Sequence, residues 1–235
     1  MYWINSSNIN TIHGFSTRNG GVSPKPFLSL NLGGTEDLPE NIAENRKLAL
    51  GDLNINLSQV SYLNQIHSNI VCQAQVGKQT GDALITNQKN LALAVAAADC
   101  YPILFHDQKN QVIGAAHCGW KGTLARIVKN TINEMVKLGA DINHIKVAIG
   151  QGICAENYEV SLEVIQQFRE QRFPESCWNG RQLNLLKANE FVALENGILK
   201  ENIWSMNRCA TESDFFSYRR DSGKTGRMWA VIMLK

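Results

Sequence analysis

The segment Leu91–Ala116, LALAVAAADCYPILFHDQKNQVIGAA, restricts the fold of this chain more than any other stretch. Its first part, Leu91 to Phe105, is the most apolar run in the sequence, but it is only fifteen residues long and Asp99 interrupts it. A membrane-spanning helix needs about 20 predominantly apolar residues, so this run is too short and too polar at its middle. It divides instead into Leu91–Ala98 and Tyr101–His106, and a third apolar run, Gln111–Ala116, follows the turn-like DQKN. Short apolar runs bounded by turn residues read as strands buried within a sheet. The chain is therefore expected to fold around buried β-structure.

Other signals surround this segment. Residues 13–34 are dense in Gly, Pro, Asn and Ser and read as turns. Pro39–Leu50 reads as a helix closed by Gly51. Val60–Ile66 and Asn69–Gln75 read as strands on either side of His67. Leu124, Ile127, Val128, Ile132, Met135 and Val136 fall on one helical face, which predicts a helix over Thr123–Leu138 stopped by Gly139. A strand at Ile145–Ile149, helices at Leu162–Glu170 and Leu183–Asn196, and strands at Ile203–Met206 and Met228–Leu234 complete the pattern. With 235 residues and no repeat, low-complexity tract or linker, the chain is expected to form one domain over residues 1–235. Strands and helices mix without strict alternation. The expected class is thus α/β in mixed α+β form, a layered sandwich of mixed β-sheet and helices.

Charge narrows the partners. The 23 basic and 21 acidic residues leave a net charge of +2, which offers no electrostatic basis for capturing nucleic acid or a membrane surface. Small-molecule partners fit better. The N-terminal MYWINSSNINTIHGF lacks the basic and apolar regions of a signal peptide, so a cytoplasmic location is expected. Cys72, Cys100, Cys118, Cys154, Cys177 and Cys209 form no CxxC pair, and without a secretion signal free thiols are expected rather than a disulfide framework. The oligomeric state is left as a monomer or a small homo-oligomer.

Reactive residues fall at the ends of predicted strands in three places: His67 in NQIHS, Cys100 in AADCYPILF and His117 in AAHCGW. Imidazole and thiolate both suit Zn²⁺, and three protein ligands would leave a fourth tetrahedral position for water or substrate. The separations of 33 and 17 residues are far from compact finger spacings. From the residues alone three readings stay open: a metal site, a nucleophilic pair of Cys100 with His117, or hydrogen-bonded structural residues. In a strand ending at His117, Ile113 and Ala115 share its face while Cys118 points the other way. Asp99, beside Cys100, is a candidate for proton transfer or for orienting a ligand. SGKT (Ser222–Thr225) ends like a phosphate-binding loop, but Tyr218 stands where that motif needs its first glycine, so no ATP site is expected.

Together with FSTRNGGVS, ENRKL, GDALIT, IGQGICAENYEV and SYRRDSGKTGRM, these segments occur in an order that resembles the YfiH family over nearly the whole chain, from Gly14 to Met228. Members of that family are known as laccase-domain or polyphenol oxidases and as purine nucleoside phosphorylases. The resemblance implies a single zinc held by His67, Cys100 and His117, with Arg46 of ENRKL beside it. It implies phosphorolysis of adenosine, inosine, guanosine and 5′-methylthioadenosine, with adenosine deamination as a further activity. The catalytic set is then Arg46, Asp99 and Cys100. Arg46 is the first candidate for phosphate because guanidinium matches its oxygens bidentately, and Arg18, Lys121 and Arg227 follow. The start of the helix expected at Thr123 would add backbone donors. Two departures stand out, since the family segment is closer to HAGWRG. Cys118 occupies an alanine position, and Lys121 keeps the charge of an arginine without its planar fork.

Rival readings make separate demands. Copper-dependent phenol oxidation suits a His₂Cys site, but a further oxygen-reducing cluster would have only His13, His106 and His144 to draw on. A cysteine hydrolase or amidase would use Cys100 as nucleophile and His117 as base. A zinc-stabilised binding module would need the metal to fold, which a chain of this size should not.

Overall fold

The computed structural model describes residues 2–34 and 36–235. Along the chain, β1 (Trp3–Ile4) and β2 (Ile12–Ser16) precede α1 (Pro39–Asp52). Four short strands follow: β3 (Val60–Asn64), β4 (Val71–Gln73), β5 (Gly77–Thr80) and β6 (Ala83–Thr86). The longer β7 (Ala92–Ala97), β8 (Tyr101–Asp107) and β9 (Val112–Cys118) lead into α2 (Trp120–Leu124) and α3 (Ile127–Lys137). Then come β10 (Ile145–Ile149), α4 (Leu162–Glu170), β11 (Trp178–Asn179), β12 (Gln182–Leu183), α5 (Leu185–Glu195), β13 (Ile203–Ser205) and β14 (Met228–Met233).

Two six-stranded mixed sheets stack face to face, in the orders β1-β2-β14-β7-β3-β5 and β13-β10-β8-β9-β6-β4. Strand alternation assigns the layers. Leu93 and Val95 of β7 join Phe15, Leu104, Ile113, Ala115 and Ile232 between the sheets. Ala92 and Ala94 of the same strand join Trp229, Val231 and the α1 residues Ala49 and Leu50 on the outer face of the first sheet. On the second sheet, Ile103, Phe105, Ala116 and Cys118 pack against Ile132, Met135, Phe168 and Val192 of the helices. Each large side chain fully buried this way contributes about 1.5–3 kcal/mol. The result is the expected layered sandwich, with α1 outside one sheet and the remaining helices outside the other. Among the described residues no helix is long and apolar enough to cross a membrane.

Several expectations need correction. The stretch read as turns opens inside β2, which pairs with β14 through Phe15↔Ala230. Asn69–Gln75 shortens to β4, and β5 and β6 gave no signal of their own. Gly51 lies inside α1 rather than closing it, and Leu183 belongs to β12, so the next helix begins at Leu185. The helix expected over Thr123–Leu138 breaks at Arg126, which takes φ +61°. The Arg126 guanidinium donates to the Glu195 carboxylate and the Gln171 carbonyl and lies 4.1 Å from the Phe173 ring centroid. Tertiary anchors override the helical pattern there. Cys154 and Cys209 form a disulfide, contrary to the expectation of free thiols, because a parallel bridge between Gly152 and Cys209 brings their segments together. Cys72, Cys100, Cys118 and Cys177 are free.

The β8–β9 turn hangs on one fully buried carboxylate, Asp107. One oxygen accepts from the Lys109 and Asn110 amides at 3.0 and 3.1 Å, and the other from Asn110 Nδ2 and the Asp141 amide at 2.8 and 2.7 Å. Burial alone would raise this carboxyl, but the hydrogen bonds prevail and hold it below its usual 3.8. Because the folded group titrates below the unfolded one, its stabilisation is complete above that value and is lost as the pH falls beneath it. Asp107→Ala is expected to lower the unfolding free energy by about 1–3 kcal/mol in urea titrations at neutral pH. The difference from wild type should shrink as the titrations move below pH about 4, and a difference independent of pH would count against this assignment.

Candidate metal centre

The centre lies where the chain passes from one sheet to the other. The β3–β4 crossing carries His67, the β5–β6 crossing carries Asp82, and the β7–β8 crossing carries Asp99 and Cys100. His117 stands near the end of β9, opposite Pro102 of β8. β3 runs parallel to β7, and β9 runs antiparallel to β6 and β8, so these ends gather on one side of the sandwich. His117 continues the row of Ile113 and Ala115, while Cys118 packs in the helical layer, as strand alternation requires.

The donor atoms of His67, Cys100 and His117 lie within 4.8 Å of one another. The two imidazoles meet edge to face with centroids 4.9 Å apart. His67 and Asp99 both take left-handed backbone angles, φ +58° and +81°. Gly119 leaves the space: a Cβ there would sit 2.9 Å from Cys100 Sγ and 3.0 Å from His67 Cδ2.

Behind the donors is a residue that the sequence reading did not single out. Asp82 is fully buried and accepts from the backbone amides of Ile66, His67 and Ser68, from Ser68 Oγ, and from His117 Nδ1 at 2.9 Å. Burial would raise its carboxyl, but the bonds from His117 and Ser68 hold it well below the carboxylate range. With Nδ1 committed to Asp82, the other nitrogen of His117 is left for the Cys100 sulfur. Burial would push the Cys100 thiol up, yet His117 and His67 bring it below its usual value. His117 is raised despite its own burial, through Cys100 and Asp82. A thiolate between two imidazoles, one backed by a carboxylate, is a donor set that fits zinc.

The donors open into a cleft of about 910 Å³. Arg46, Lys121, Arg227 and Asp99 all line it. Arg46 Nε donates to the Leu32 carbonyl at 2.8 Å, and its guanidinium lies 4.6 Å from the Trp229 ring centroid. Arg227 Nη1 donates to the carbonyls of Thr225 and Gly226. The two arginines flank Gly33, where a Cβ would lie 3.7 Å from Arg227 Cβ and 4.0 Å from Arg46 Nη2. Lys121 is exposed, its ammonium 5.6 Å from the Trp120 ring centroid.

Two sequence-predicted anion contacts are not found in this cleft. Arg18 donates to the Leu28 carbonyl at 2.7 Å and lies over the Phe216 ring, so it fastens a loop instead. The Thr123 amide bonds to the Gly119 carbonyl within the five-residue α2, so it offers no helix-start donor. Asp99 lines the cleft but is committed, its oxygens accepting from Ser217 Oγ and the Arg219 amide, each at 2.6 Å. It therefore ties the SYRR loop to the Cys100 segment. The SGKT stretch is a turn in which Thr225 Oγ1 bonds Asp221. Tyr158, Tyr218 and Arg219 also line the cleft. Their segments, IGQGICAENYEV and SYRRDSGKTGRM, stood out in the sequence, but no periodicity or spacing singled out these residues.

A two-sheet sandwich with a His₂Cys cluster at the mouth of a cation-lined cleft defines a metal-site protein of the laccase-domain class. The chain belongs to the family described as multi-copper polyphenol oxidoreductase laccase, whose model matches residues 12–235. It is 46% identical to a purine nucleoside phosphorylase of Deinococcus radiodurans over 98% of this chain and 92% of that protein. The crystal structure of YlmD from Geobacillus stearothermophilus superposes with a TM-score of 0.92 at 28% identity, covering 100% of this chain and 99% of that one. A further relative, adenosine deaminase RL5 from an unknown prokaryotic organism, is 31% identical over 66% of this chain and 62% of its own length.

Asp82→Asn is expected to weaken metal binding, probed with added zinc, about 10- to 100-fold, since an amide cannot anchor His117 as a carboxylate does. Competition with a chromogenic chelator reads the affinity, and far-UV circular dichroism checks the fold. Unchanged affinity in a folded variant would show that Asp82 does not position the donor.

Proposed function

We propose that the protein is a zinc-dependent purine nucleoside phosphorylase acting on adenosine, inosine, guanosine and 5′-methylthioadenosine, with adenosine deamination as a side activity of the same cleft. The observation that carries this reading is the joining of the His67, Cys100 and His117 donors with the Arg46–Arg227 pair in one cleft. The names of the Deinococcus radiodurans relative and of RL5 support it. Zinc held by His67, Cys100 and His117 would supply Lewis acidity and an activated nucleophile at neutral pH, which is what deamination requires.

The remaining roles fall to the chain's own residues. Arg46 and Arg227 hold phosphate, and Gly33, which has no side chain, leaves the space between them open. A phosphate oxygen attacks the anomeric carbon, the bond to the purine breaks, and free base and ribose 1-phosphate result. Trp229, under the Arg46 guanidinium, keeps it fixed in direction. Asp99 positions rather than transfers protons, because both of its oxygens are engaged. Lys121 adds positive charge at the mouth.

One specific observation favours a second reading. Asp82, His117 and Cys100 form a carboxylate–imidazole–thiol chain, the order a cysteine hydrolase uses. His67 is the feature that such an enzyme does not require. The multi-copper reading finds less support, because His67, Cys100 and His117 form the one cluster of three or more such donors among the described residues. His13 is bonded to Ser6 and Thr11, His144 lies beside Asp141, and His106 is buried elsewhere.

Purine release from adenosine and inosine is expected to require phosphate, to stop on chelation and to return with zinc. His67→Ala should remain folded and inactive. Arg46→Ala should raise the KM for phosphate by roughly 10- to 100-fold, the loss of a charge-assisted hydrogen bond. An unchanged phosphate KM would remove Arg46 from the anion site. Activity that survives chelation and is lost on alkylation of Cys100 would favour the hydrolase instead.

A further inference from the structure

Resting on the phosphorolytic reading above, we infer that Tyr158 is the base-recognition residue of the cleft, its hydroxyl donating a hydrogen bond to the imidazole-ring nitrogen N7 of the departing purine. Tyr158 lines the cleft, and its ring packs against the helical layer of the second sheet. Trp120 lines the cleft from the same layer. Arg46 belongs to the opposite wall, set on Trp229 and Tyr62 over the outer face of the first sheet. Arg46 and Arg227 thus meet at Gly33 on one wall, while the other wall presents Tyr158 and Trp120, with Arg219 over the Tyr158 ring. Phosphate suits the first side and a purine suits the second.

On that second side the hydroxyl of Tyr158 and the indole N–H of Trp120 are uncommitted neutral donors, and of the two the hydroxyl sits on the ring that Arg219 covers. It has no hydrogen-bond partner among the described residues, and Tyr158 lines the same cleft as Cys100 and His67. The cationic donors nearby, Arg219 and Lys121, are engaged elsewhere or exposed. Arg219 gives its amide to Asp99 and Nη1 to the Glu159 carbonyl, and its guanidinium covers the Tyr158 ring at 5.1 Å. Lys121 is exposed over Trp120.

Tyr158 is also held in place. Its amide bonds the Ala155 carbonyl, its carbonyl accepts from the Leu183 amide, and the Cys154–Cys209 disulfide closes the base of its turn. A donor fixed in this way needs no reorganisation when charge develops in front of it. In phosphorolysis the phosphate oxygen forms the new bond to the anomeric carbon, and the electron pair of the broken C–N bond leaves on the purine. The hydrogen bond to N7 strengthens as that charge grows. Tyr158 keeps its proton, and the released purine takes one from solvent.

The test compares guanosine with 7-methylguanosine, whose N7 carries a methyl group and a positive charge, so that the base leaves without help. Tyr158→Phe keeps the ring and its packing. It is expected to lower kcat for guanosine about 100-fold while KM for guanosine stays nearly constant, and to leave kcat for 7-methylguanosine unchanged. Rejection of the methylated nucleoside by wild type, relieved in the variant, would equally support the contact. Equal loss on both substrates, no loss on either, or rejection persisting in the variant would overturn it. If wild type releases no base from guanosine in the presence of phosphate, the phosphorolytic reading itself fails and this inference falls with it.

Discussion

The buried carboxylate of Asp82 is the interaction on which the centre depends. A charge removed from water costs several kcal/mol unless it is paired and hydrogen-bonded. Here five donors repay that cost: three successive amides of the His67 loop, the Ser68 hydroxyl and the His117 imidazole. The same contacts stabilise the left-handed turn at His67, a conformation that costs a non-glycine residue of the order of 1 kcal/mol or more. One side chain therefore sets the path of one donor loop and the orientation of the imidazole on another strand.

The fold makes that economy available. Three crossings between the sheets lie at one end of the sandwich, so residues distant in sequence converge without a long insertion. Convergence alone would not suffice, because strand ends carrying side chains would keep the donors apart. Gly119 removes that obstacle at the point of closest approach to Cys100 and His67. On the far side of the same hairpin, Asp107 secures the turn that joins β8 to β9. A carboxylate thus fixes each end of the second sheet's central pair, one near the chemistry and one remote from it.

Much of this was legible in the sequence because it follows from short-range pattern. The apolar runs located β7 to β10 and β14 closely, and the strand period separated His117 from Cys118. The donors were recognisable as reactive side chains at strand ends. Asp82 was not, because its partners are mostly backbone amides, which any sequence supplies and no spacing marks. Tyr158 and Arg219 sit on loops without periodicity, and the engagement of Asp99 is visible only when the SYRR loop is seen folded against it. The Cys154–Cys209 pairing spans 55 residues and depends on the register between Gly152 and Cys209. The break at Arg126 likewise depends on Glu195 and Phe173, which lie far along the chain.

The two departures from the family's HAGWRG segment have different physical meanings. Cys118 is fully buried in the helical layer, where burial pushes its thiol well above the ordinary value. It behaves there as a small apolar side chain, a modest enlargement over alanine at a packed position. Lys121 faces solvent at the cleft mouth, and an ammonium on a flexible stem attracts an anion without fixing its direction. Orientation must then come from groups whose own geometry is locked. Arg46 meets that condition through its bond to Leu32 and its seat on Trp229, and Arg227 through two backbone carbonyls. On the proposed phosphorolytic reading, the directional phosphate contacts fall to these two anchored arginines, which leaves the exposed mouth position open to lysine.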